Sequence, residues 1–397
     1  MVKFAIMGHG VVGSGTAQLF MRNQDKIEMA AGESMCLKYI LDIKDFTGLD
    51  YTDLFIKDFS IIENDPEISV VVETIGGAGV AYEFVSRCLK AGKCVVTSNK
   101  ELIATRGTEL LGYAKQSGAM LKFEASVGGG IPLLKPINQC LAANQFVSIY
   151  GILNGTTNFI LTKMETDNMS FEDALDTAKR LGYAELNPSA DVDGHDCARK
   201  ISILSGLAFK KHPHPDIIPT TGIRQITLDD IKLARACGGS MKLIGRAKPV
   251  GDGVSACVQP MVVDQSNQLF SVSDVFNGVI VDGDATGDVM FYGKGAGKFP
   301  TASAVISDII DCAREKQSQR NIRWEDTTSF TEDDGTYEFL LKPLKNDMKK
   351  LAQLGELRRI VTDDGAVGYI VGPFTNTELK KKLNNLSIAA AVFPILK

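Results

Sequence analysis

Short apolar runs alternate with amphipathic stretches along the first third of the chain. Strands of a parallel sheet are almost continuously apolar because helices cover both faces of the sheet, and the apolar runs here have that character. The stretches between them have the periodicity of helices. The predicted strands are Lys3–Met7, Leu37–Leu41, Ile68–Ile75, Lys93–Thr97 and Met120–Glu124, and the predicted helices are Thr16–Arg22, Ala81–Ala91 and Glu109–Gln116. This alternation predicts an α/β domain with a doubly wound parallel sheet.

The pattern changes after residue 132, and residues 133–292 are predicted to form a second, α+β domain. The predicted elements there are the helices Ser170–Leu181, Ala198–Ala208 and Leu228–Cys237 and the strands Lys242–Ala247 and Ser255–Val263. A glycine-rich loop at 293–297 then precedes a predicted helix, Pro300–Arg314. We expect this helix to return to the first domain, so that residues 1–132 are completed by about 293–316.

The last part of the chain is predicted to form a linker and a small third domain. Residues 316–331 are polar, which is typical of a linker. In residues 335–397 strand-like and helical stretches follow one another in an order similar to βαββαβ. The localised elements are the strands Thr336–Leu341, Val367–Gly372 and Ile388–Ile395 and the helix Asn376–Leu383.

The composition narrows the classes of function. With 397 residues, 44% hydrophobic and 23% charged, the chain has the profile of a soluble protein of two or three domains. A net charge of −5 with scattered lysines argues against a nucleic-acid partner. No apolar run could span a membrane and no signal-peptide pattern is present, so we expect a cytoplasmic protein without a membrane partner. The histidine and cysteine spacings predict no zinc site.

A glycine-rich loop, GHGVVG at 8–13, follows the first predicted strand and precedes the first predicted helix. Glycines permit a tight turn, and the start of the helix offers N–H groups and a positive dipole to a pyrophosphate. The GxGxxG pattern is informative only in this strand–helix context. Its position favours dinucleotide binding over a purely structural turn, and residues 1–132 are therefore predicted to form a Rossmann-type dinucleotide-binding domain.

Asp42 and Lys44, which follow the second predicted strand, leave the choice of nicotinamide cofactor open. An acid there favours NAD by hydrogen-bonding the ribose 2′-hydroxyl, whereas a nearby base favours the 2′-phosphate of NADP. The spacing from the glycine loop is longer than the usual twenty or so residues. We expect NADP, with NAD as the alternative.

Three other segments carry candidate binding residues. Lys100 follows the fourth predicted strand, where α/β sheets bind ligands, and could hold a carboxylate, share in proton transfer or be a surface lysine. Glu124 and the glycine-rich loop after it suit a cation held by oxygen ligands, although these residues alone favour a domain hinge. The segment NGTTN at 154–158 could bind substrate or cap a helix.

A dense cluster of charged residues lies between Gly182 and Lys200. Its acidic residues are Glu185, Asp191, Asp193 and Asp196. If a helix begins near Asp196, then Asp196 and Lys200 lie on one helical face. A carboxylate beside an ammonium can bind a polar substrate and hold a proton donor, although clustered acids are usually only solvated. The apolar run at 201–209 favours the functional interpretation because it draws Lys200 toward a buried face.

Together these segments resemble the homoserine dehydrogenase family. The matching segments are GHGVVG at 8–13, ETIGG at 73–77, TSNKELIA at 97–104, EASVGGGIP at 124–132, GILNGTTNFI at 151–160, LGYAELNPSADVDGHDCARK at 181–200 and FYGKGAGKFPTASAV at 291–305. They occur in the order of the family and cover the chain from the first strand to about residue 315.

The resemblance implies the reversible reduction of L-aspartate 4-semialdehyde to L-homoserine by NAD(P)H, a step toward threonine and methionine. Lys200 matches the proton donor to the aldehyde oxygen, and Lys100 matches a lysine that assists at the substrate and cofactor. Glu185 and Asp196 match acids that hold the amino group and hydroxyl of the substrate. The catalytic residues implied are Lys200, Lys100 and Asp196.

The resemblance also implies the remaining sites. The substrate-binding residues expected are Gly182, Glu185, Asp191, Asp196 and Thr156. The cofactor-binding residues expected are Gly8, Gly10, Val11, Val12, Gly13, Asp42, Lys44, Thr74, Gly76, Ser98, Lys100 and Gly297. Glu124 with backbone oxygens of Val127, Gly129 and Ile131 matches a sodium site, which replaces the preference for a plain hinge.

The assembly and the tail are further expectations. The resemblance implies a homodimer or higher homo-oligomer in which the sheet of the second domain is paired between subunits. Residues 335–397 resemble a short ACT domain without its usual Asp-x-x-Gly turn, since PLKND stands at 343–347. We therefore expect a structural or oligomerising tail, with weak or absent inhibition by threonine.

Two alternative functions remain. The protein could be another amino-acid dehydrogenase of this fold, or a non-catalytic regulator that binds NAD(P).

Overall fold

The structure is a computed structural model that describes residues 1–314, 322–331, 335–345 and 347–397. Contacts divide the chain into two compact units. Unit 1 consists of Met1–Asn144, Ser202–Pro215 and Gly293–Asp326, and unit 2 of Gln145–Ile201, Asp216–Tyr292 and Thr327–Lys397. The tail is grouped with unit 2, and the three-domain division stays a prediction.

The regular elements are numbered along the chain. The strands are β1 (Val2–Met7), β2 (Met35–Leu41), β3 (Phe55–Ile56), β4 (Ile68–Glu73), β5 (Cys94–Thr97), β6 (Leu121–Lys122), β7 (Phe146–Ile152), β8 (Lys211–His212), β9 (Gly239–Val250), β10 (Gly253–Asp264), β11 (Phe276–Gly283), β12 (Gly287–Lys294), β13 (Glu325–Asp326), β14 (Phe330–Thr331), β15 (Thr336–Pro343), β16 (Arg358–Val361), β17 (Val367–Thr375) and β18 (Ala390–Leu396). The α-helices are α1 (Val11–Arg22), α2 (Gln24–Ala31), α3 (Phe59–Asn64), α4 (Gly79–Lys90), α5 (Lys100–Ser117), α6 (Gly155–Thr166), α7 (Phe171–Arg180), α8 (Ser189–Val192), α9 (His195–Phe209), α10 (Leu228–Ala236), α11 (Lys298–Arg314), α12 (Met348–Leu351) and α13 (Asn376–Asn385).

Unit 1 is built on a six-stranded sheet in the order β3-β2-β1-β4-β5-β6. Every pairing between neighbours is parallel, so the predicted parallel α/β sheet is confirmed. The connections reverse direction between β1 and β4, and open α/β sheets bind their ligands at the carboxyl ends of the strands at such a point. Glu73, the last residue of β4, pairs with Met7 on β1 and with Thr97 on β5.

Helices α1, α2 and α11 share one apolar core with the sheet. Phe4 of β1 and Phe20 of α1 meet edge to face at 4.8 Å between ring centroids, and Ile306 and Ile309 of α11 belong to the same buried cluster. Edge-to-face aromatic pairs contribute beyond the area that they bury. This core fixes the position of α1 and therefore that of the glycine loop, whose residues 11–13 begin the helix.

Two sequence predictions in unit 1 are corrected by the structure. Helix α5 begins at Lys100 and not near residue 109, because the Asn99 side chain accepts a hydrogen bond from the Leu102 N–H and caps it. The predicted linker at 316–331 contains packed residues. Although 315–321 lie outside the described residues, Trp324 is buried and its ring lies 5.5 Å from that of Phe123.

Unit 2 is built on a mixed sheet in the order β12-β11-β7-β9-β10-β18-β15-β17-β16, with β14 paired to β10. The long hairpin of β9 and β10 lies at its centre. Helices α6 and α10 pack against β9. Residues 133–292 therefore contain both helices and strands, as predicted, but α6 to α10 come before the hairpin of β9 and β10 and do not alternate with the long strands.

The tail continues this sheet. Its strands take the order β18-β15-β17-β16 with antiparallel neighbours, and β18 pairs parallel to β10 at Val262–Ile395 and Val263–Leu396. Phe339 and Tyr369 of the tail belong to the same hydrophobic cluster as Ile244 and Met261. A shared core makes the tail part of the fold of unit 2. Asn346, in the predicted first turn of the tail, lies outside the described residues.

No helix among the described residues is both long and apolar enough to cross a membrane.

A buried lysine in β9 generates a prediction about stability. The Lys242 ammonium donates to the Val272 carbonyl oxygen at 2.7 Å, and burial lowers the pKa of Lys242 to about 8. An unfolded lysine keeps its proton to about pH 10.4, so between these values the unfolded chain binds more protons. The unfolding free energy contributed by this group therefore rises with pH, by about 3 kcal/mol in total.

We expect Lys242→Met to remove that rise, as measured by urea unfolding of both proteins from pH 8 to 10. Lys381→Met, at an exposed lysine of α13, is the control and should keep the slope of the wild type. Equal slopes for wild type and Lys242→Met would contradict the assignment.

Candidate active site

The glycine loop of unit 1 has a backbone that only glycine can adopt. Gly8 has φ +95°, and a Cβ atom on it would lie 2.8 Å from the Thr74 carbonyl oxygen. A Cβ on Gly13 would lie 1.9 Å from the Gly8 carbonyl oxygen. Helix α1 then begins at Val11 with no side-chain cap on its first N–H groups. A helix start of this kind offers its N–H groups to an anion such as a pyrophosphate.

A cavity of about 510 Å³ opens beside this loop. Its lining brings together Gly8, Gly10, Asp42, Lys44 and Thr74, which are predicted cofactor residues far apart in the sequence. The volume is in the range of small-molecule and cofactor sites. Other lining residues were not foreseen from the sequence, namely His9, Phe46, Lys57, Phe59, Val80 and Phe84.

Asp42 holds the loops around the cavity in place. One carboxylate oxygen accepts the His9 N–H at 2.6 Å and the other accepts the Lys44 N–H at 2.9 Å. Lys57 lies nearby, with its ammonium 2.8 Å from Asp45 and half of its side chain exposed. Two lysines therefore accompany Asp42 in the cavity wall, where the sequence alone showed one.

His9 anchors the glycine loop to aromatic residues. Its ring meets Phe46 at 4.5 Å and Phe55 at 4.9 Å, both edge to face, and its Nε2 lies 3.1 Å from the Tyr51 hydroxyl. Burial lowers the pKa of His9, so the ring is neutral at pH 7. The GxGxxG pattern leaves this position unspecified, which is why sequence reasoning missed it.

Among the other predicted cofactor residues, Val11, Val12 and Gly13 begin α1, Lys100 begins α5, and three lie on loops of unit 1. Gly76 follows β4 with φ +84°, Ser98 follows β5, and Gly297 precedes α11 with φ +130°. The start of α11 approaches α1 closely, since a Cβ on Gly15 would lie 2.9 Å from the Lys298 side chain. Lys298 thus lies beside α1, although it was not a predicted site residue.

In unit 2, α9 places Asp196 and Lys200 on one face, as the four-residue spacing predicts. The Lys200 ammonium donates to Asp196 Oδ2 at 2.8 Å and to the Leu153 carbonyl oxygen at 2.6 Å. Asp196 is 1% and Lys200 6% exposed. An ammonium has three N–H donors, and within the described residues of unit 2 two of them are used. The third can serve a bound molecule.

Asn154 connects the acids of this cluster. Its side-chain oxygen accepts the Thr157 N–H at 2.8 Å and so caps α6. Its side-chain NH₂ donates to Asp191 at 2.7 Å and to Asp196 at 2.8 Å. The sequence left capping and substrate binding as alternatives for this segment. The structure shows the cap and adds a bridge between two carboxylates that no spacing rule indicated.

The loop before α8 holds two other predicted substrate residues, Gly182 and Glu185, and Thr156 lies in α6. Gly182 has φ +76°, and the Thr156 hydroxyl donates to the Tyr183 carbonyl oxygen at 2.6 Å, which ties this loop to α6. Glu185 is exposed and makes no hydrogen bond within the described part of the chain. The structure therefore brings Asp191, Asp196 and Lys200 together through Asn154, but it does not bring Glu185 into that network.

Glu124 of unit 1 caps the segment that follows the glycine-rich loop. One carboxylate oxygen accepts the N–H groups of Leu133 at 2.6 Å and Leu134 at 2.9 Å, and the other accepts the Lys135 N–H at 2.7 Å. Burial raises the pKa of Glu124, and these three N–H groups oppose the rise. The carboxylate thus shapes the loop between residues 124 and 135.

The loop itself offers backbone oxygens. The carbonyl groups of Val127, Gly129 and Ile131 accept no hydrogen bond from any residue that the structure describes, and all three residues are buried. Carbonyl oxygens are suitable ligands for a hard cation. In the described ranges no three His, Cys, Asp or Glu side chains are grouped to hold a metal ion. A cation at this loop would therefore depend on backbone oxygens.

A second cluster in unit 1 has the composition of a hydrolytic triad. His212 lies 2.9 Å from the Ser202 hydroxyl and 3.0 Å from Asp326, and its ring stacks on Trp324. The Ser202 hydroxyl also donates to the Pro213 carbonyl oxygen, and the residue is fully buried. A nucleophile needs access to its substrate, so the cluster is structural. His212 is itself buried.

Comparisons with known proteins are consistent over most of the chain. Residues 8–124 match a family model described as homoserine dehydrogenase, NAD binding domain, and residues 132–310 match one described as homoserine dehydrogenase. A homoserine dehydrogenase of Bacillus subtilis (strain 168) is 39% identical over 78% of this chain and 72% of its own length. One of Synechocystis sp. is 41% identical over 78% of this chain and 73% of its own length.

Solved structures extend the likeness to the tail. A homoserine dehydrogenase from Thiobacillus denitrificans superposes with a TM-score of 0.88 at 30% identity, over 99% of this chain and 98% of that protein. One from S. aureus superposes with a TM-score of 0.82 at 33% identity, over the same shares. Both cover the tail as well as the two segments that the family models match.

The Asn154 bridge predicts a charge-dependent loss of stability. Asn154→Asp keeps an oxygen for the cap but places a third carboxylate beside Asp191 and Asp196. We expect the unfolding free energy at pH 7 to fall by about 2 kcal/mol, and part of it to return at pH 5, where the new side chain can be protonated.

Asn154→Ser is the matched control, because serine caps helices well and adds no charge. Urea unfolding of both variants at the two pH values checks the prediction. An Asn154→Asp protein as stable at pH 7 as Asn154→Ser would show that a carboxylate at residue 154 meets no repulsion from the two acids, which would contradict the bridge.

Proposed function

Because this chain belongs to the homoserine dehydrogenase family of NAD(P)-dependent oxidoreductases, we propose that Lys200 is the proton donor in the reaction that it catalyses. That reaction interconverts L-homoserine and L-aspartate 4-semialdehyde. The observation that carries the proposal is the Lys200 ammonium, nearly buried and held by Asp196 and the Leu153 carbonyl oxygen. Two fixed acceptors orient the third N–H, so the proton donor is positioned before substrate arrives.

The chemistry follows from where charge develops. The reduced nicotinamide, when bound, supplies the hydride. As the aldehyde carbon is reduced, negative charge grows on its oxygen, and the Lys200 ammonium stabilises that charge and transfers its proton. In the oxidation of homoserine the same lysine must accept the proton from the hydroxyl. Oxidation should therefore be faster at alkaline pH than at neutral pH.

The acids near Lys200 suit the ammonium group of the substrate. Asp191 and Asp196 are held close together by Asn154, and we assign them with Glu185 to the amino group and hydroxyl. Glu185 is exposed on its loop, and its assignment comes from the resemblance. Thr156 and Gly182 shape the same loop.

The cofactor belongs to unit 1. We assign its pyrophosphate to residues 8–13 and its ribose to the cavity wall around Asp42 and Lys44. Lys100, the first residue of α5, is assigned to the reacting end of the cofactor together with Ser98. Gly76 and Gly297 contribute loops whose backbone can approach a ligand closely.

We propose NADP as the preferred cofactor, with NAD as the alternative. Lys44 and Lys57 supply two cations to the wall of the cavity, which suits a 2′-phosphate. Asp42 engages both carboxylate oxygens with backbone N–H groups, so it is less available to a ribose hydroxyl. A related hyperthermophilic archaeal homoserine dehydrogenase, 26% identical with a TM-score of 0.68, has been solved in complex with NADPH.

We also assign sodium to Glu124, Val127, Gly129 and Ile131. The carbonyl oxygens of the last three fit a hard cation, and the Glu124 carboxylate holds their loop in shape. The assignment to sodium itself comes from the family resemblance, and so does a homodimer or higher homo-oligomer paired through the sheet of unit 2. We also propose a cytoplasmic location.

The tail is proposed to be an ACT-like domain with a structural or oligomerising role. Its strand order is that of a βαββαβ module, and its core is shared with the rest of unit 2. A tail built into the sheet has little freedom to transmit a ligand signal. We therefore expect weak or absent inhibition by threonine.

Two substitutions separate the charge of Lys200 from its proton. Lys200→Met removes both and should lower kcat for homoserine oxidation by about 10²-fold or more, the scale of a lost acid–base group. Lys200→Arg keeps the charge but cannot give up a proton, so it should be nearly as slow. Steady-state kinetics with cofactor binding measured in parallel decide the matter. An arginine variant with nearly wild-type kcat would contradict the role as proton donor.

The lysines of the cavity predict cofactor preference. Lys44→Ala and Lys57→Ala should each raise the KM for NADP about tenfold and leave the KM for NAD within about twofold, because only NADP carries the 2′-phosphate. Lys26→Ala, at an exposed lysine of α2, is the control. Equal changes for the two cofactors would show that neither lysine contacts the phosphate.

A further inference from the structure

A buried carboxylate in unit 1 lies outside every assignment made so far. Glu73 ends β4 and is 0% exposed. It pairs with the ends of β1 and β5 on either side, which places it at the carboxyl edge of the sheet where ligands bind in this fold. Burying a carboxylate is costly unless hydrogen bonds compensate. The groups that compensate show what this side chain does.

One oxygen of Glu73 shapes the loop after β4. Oε1 accepts the Ile75 N–H at 2.8 Å and the Gly76 N–H at 3.2 Å. The preceding residue, Thr74, donates its hydroxyl to the Gly8 carbonyl oxygen at 2.8 Å. The loop that contains Thr74 and Gly76 is thereby fixed from one side by Glu73 and from the other by the glycine loop.

The other oxygen reaches the loop after β5. Oε2 accepts the Thr97 hydroxyl at 2.5 Å, and the Thr97 oxygen in turn accepts the Asn99 N–H at 2.9 Å. The Asn99 side chain donates to the Gly77 carbonyl oxygen at 2.7 Å and caps α5 by accepting the Leu102 N–H. Lys100 is the first residue of that helix, so its backbone position depends on this chain of hydrogen bonds.

We propose that Glu73 is a positioning residue that fixes the cofactor loop at 74–77 and the start of α5, and so holds Lys100 in place for the reaction. A single carboxylate is suited to this, because its two oxygens accept from two loops at once and cannot donate to either. Burial raises the pKa of Glu73, and hydrogen bonds from Thr97, Gly76, Ile75 and Asn99 oppose this rise. The inference rests on the role proposed for Lys100.

The variant Glu73→Gln separates the two loops. The amide oxygen can still accept the N–H groups of Ile75 and Gly76, so the cofactor loop keeps its bonds. The amide NH₂ faces Thr97 and can only donate, which leaves the Thr97 hydroxyl without its acceptor. We expect kcat to fall about tenfold while the KM for the cofactor stays within about twofold, the pattern of a lost transition-state interaction.

A second pair of variants tests the same link from its other end and remains informative if Glu73→Gln does not fold. Thr97→Val removes the hydroxyl at nearly constant volume and should reproduce the loss of kcat. Thr97→Ser keeps the hydroxyl and should restore most of it. A merely structural role would show in the unfolding free energy and not in this split between kcat and KM.

Asp230→Asn is the matched control. Asp230 is also buried and also accepts a threonine hydroxyl and a backbone N–H, those of Thr227 at 2.6 and 2.8 Å, but it lies in unit 2 at the start of α10. If the loss of any buried carboxylate lowered kcat, Glu73→Gln and Asp230→Asn would both show that loss. The proposal requires that kcat falls for Glu73→Gln and stays unchanged for Asp230→Asn.

A double-mutant cycle with Lys100→Ala identifies the residue through which Glu73 acts. If Glu73 acts through Lys100, Glu73→Gln should cost little more once Lys100 is gone. Multiplying losses would overturn the inference, and so would wild-type kcat in both Glu73→Gln and Thr97→Val. A Lys100→Ala variant with wild-type kcat would refute the role of Lys100 itself, and that single variant distinguishes this failure from the first.

Discussion

The buried ion pair of Asp196 and Lys200 is the interaction on which the rest of the site depends. Two charges that are almost excluded from water are stable only when their geometry is good and their other hydrogen bonds are satisfied. The Leu153 carbonyl oxygen and the Asn154 amide supply those bonds. Asn154 also caps α6, so the helix that begins at residue 155 and the helix that carries the pair are fixed by the same side chain.

Carboxylates play the same part in unit 1, where Glu73 is buried and Asp42 is half-buried. Asp42 and Glu73 each accept hydrogen bonds from two separate segments, and each stands where a strand of the parallel sheet ends. Backbone N–H groups in such loops must find acceptors when they are buried. A carboxylate with several lone pairs satisfies more of them than any neutral side chain. The loops that we propose to contact the cofactor are thereby shaped before the cofactor binds, which reduces the entropy lost on binding.

Local patterns predicted the parts of this protein that local physics determines. The apolar runs located β1, β2, β4 and β5, and the four-residue spacing placed Asp196 and Lys200 on one helical face. Contacts between residues far apart in the sequence could not be predicted from these local patterns. The Asn154 bridge joins residues 37 and 42 positions apart, and Trp324 is buried inside a stretch whose polar neighbours indicated a linker. For Glu185 the sequence motif is specific, but the side chain is exposed on a loop and does not join the predicted network.

The central claim is that Asp196 and Lys200 act as one unit in proton transfer. The most direct test is kcat for homoserine oxidation in Asp196→Asn, Lys200→Met and the double variant, each with its fold and cofactor binding verified. Residues that act as a unit are strongly non-additive, so the double variant should be about as slow as the slower single variant. Losses that multiply in the double variant would show that the two residues act independently and would contradict the account.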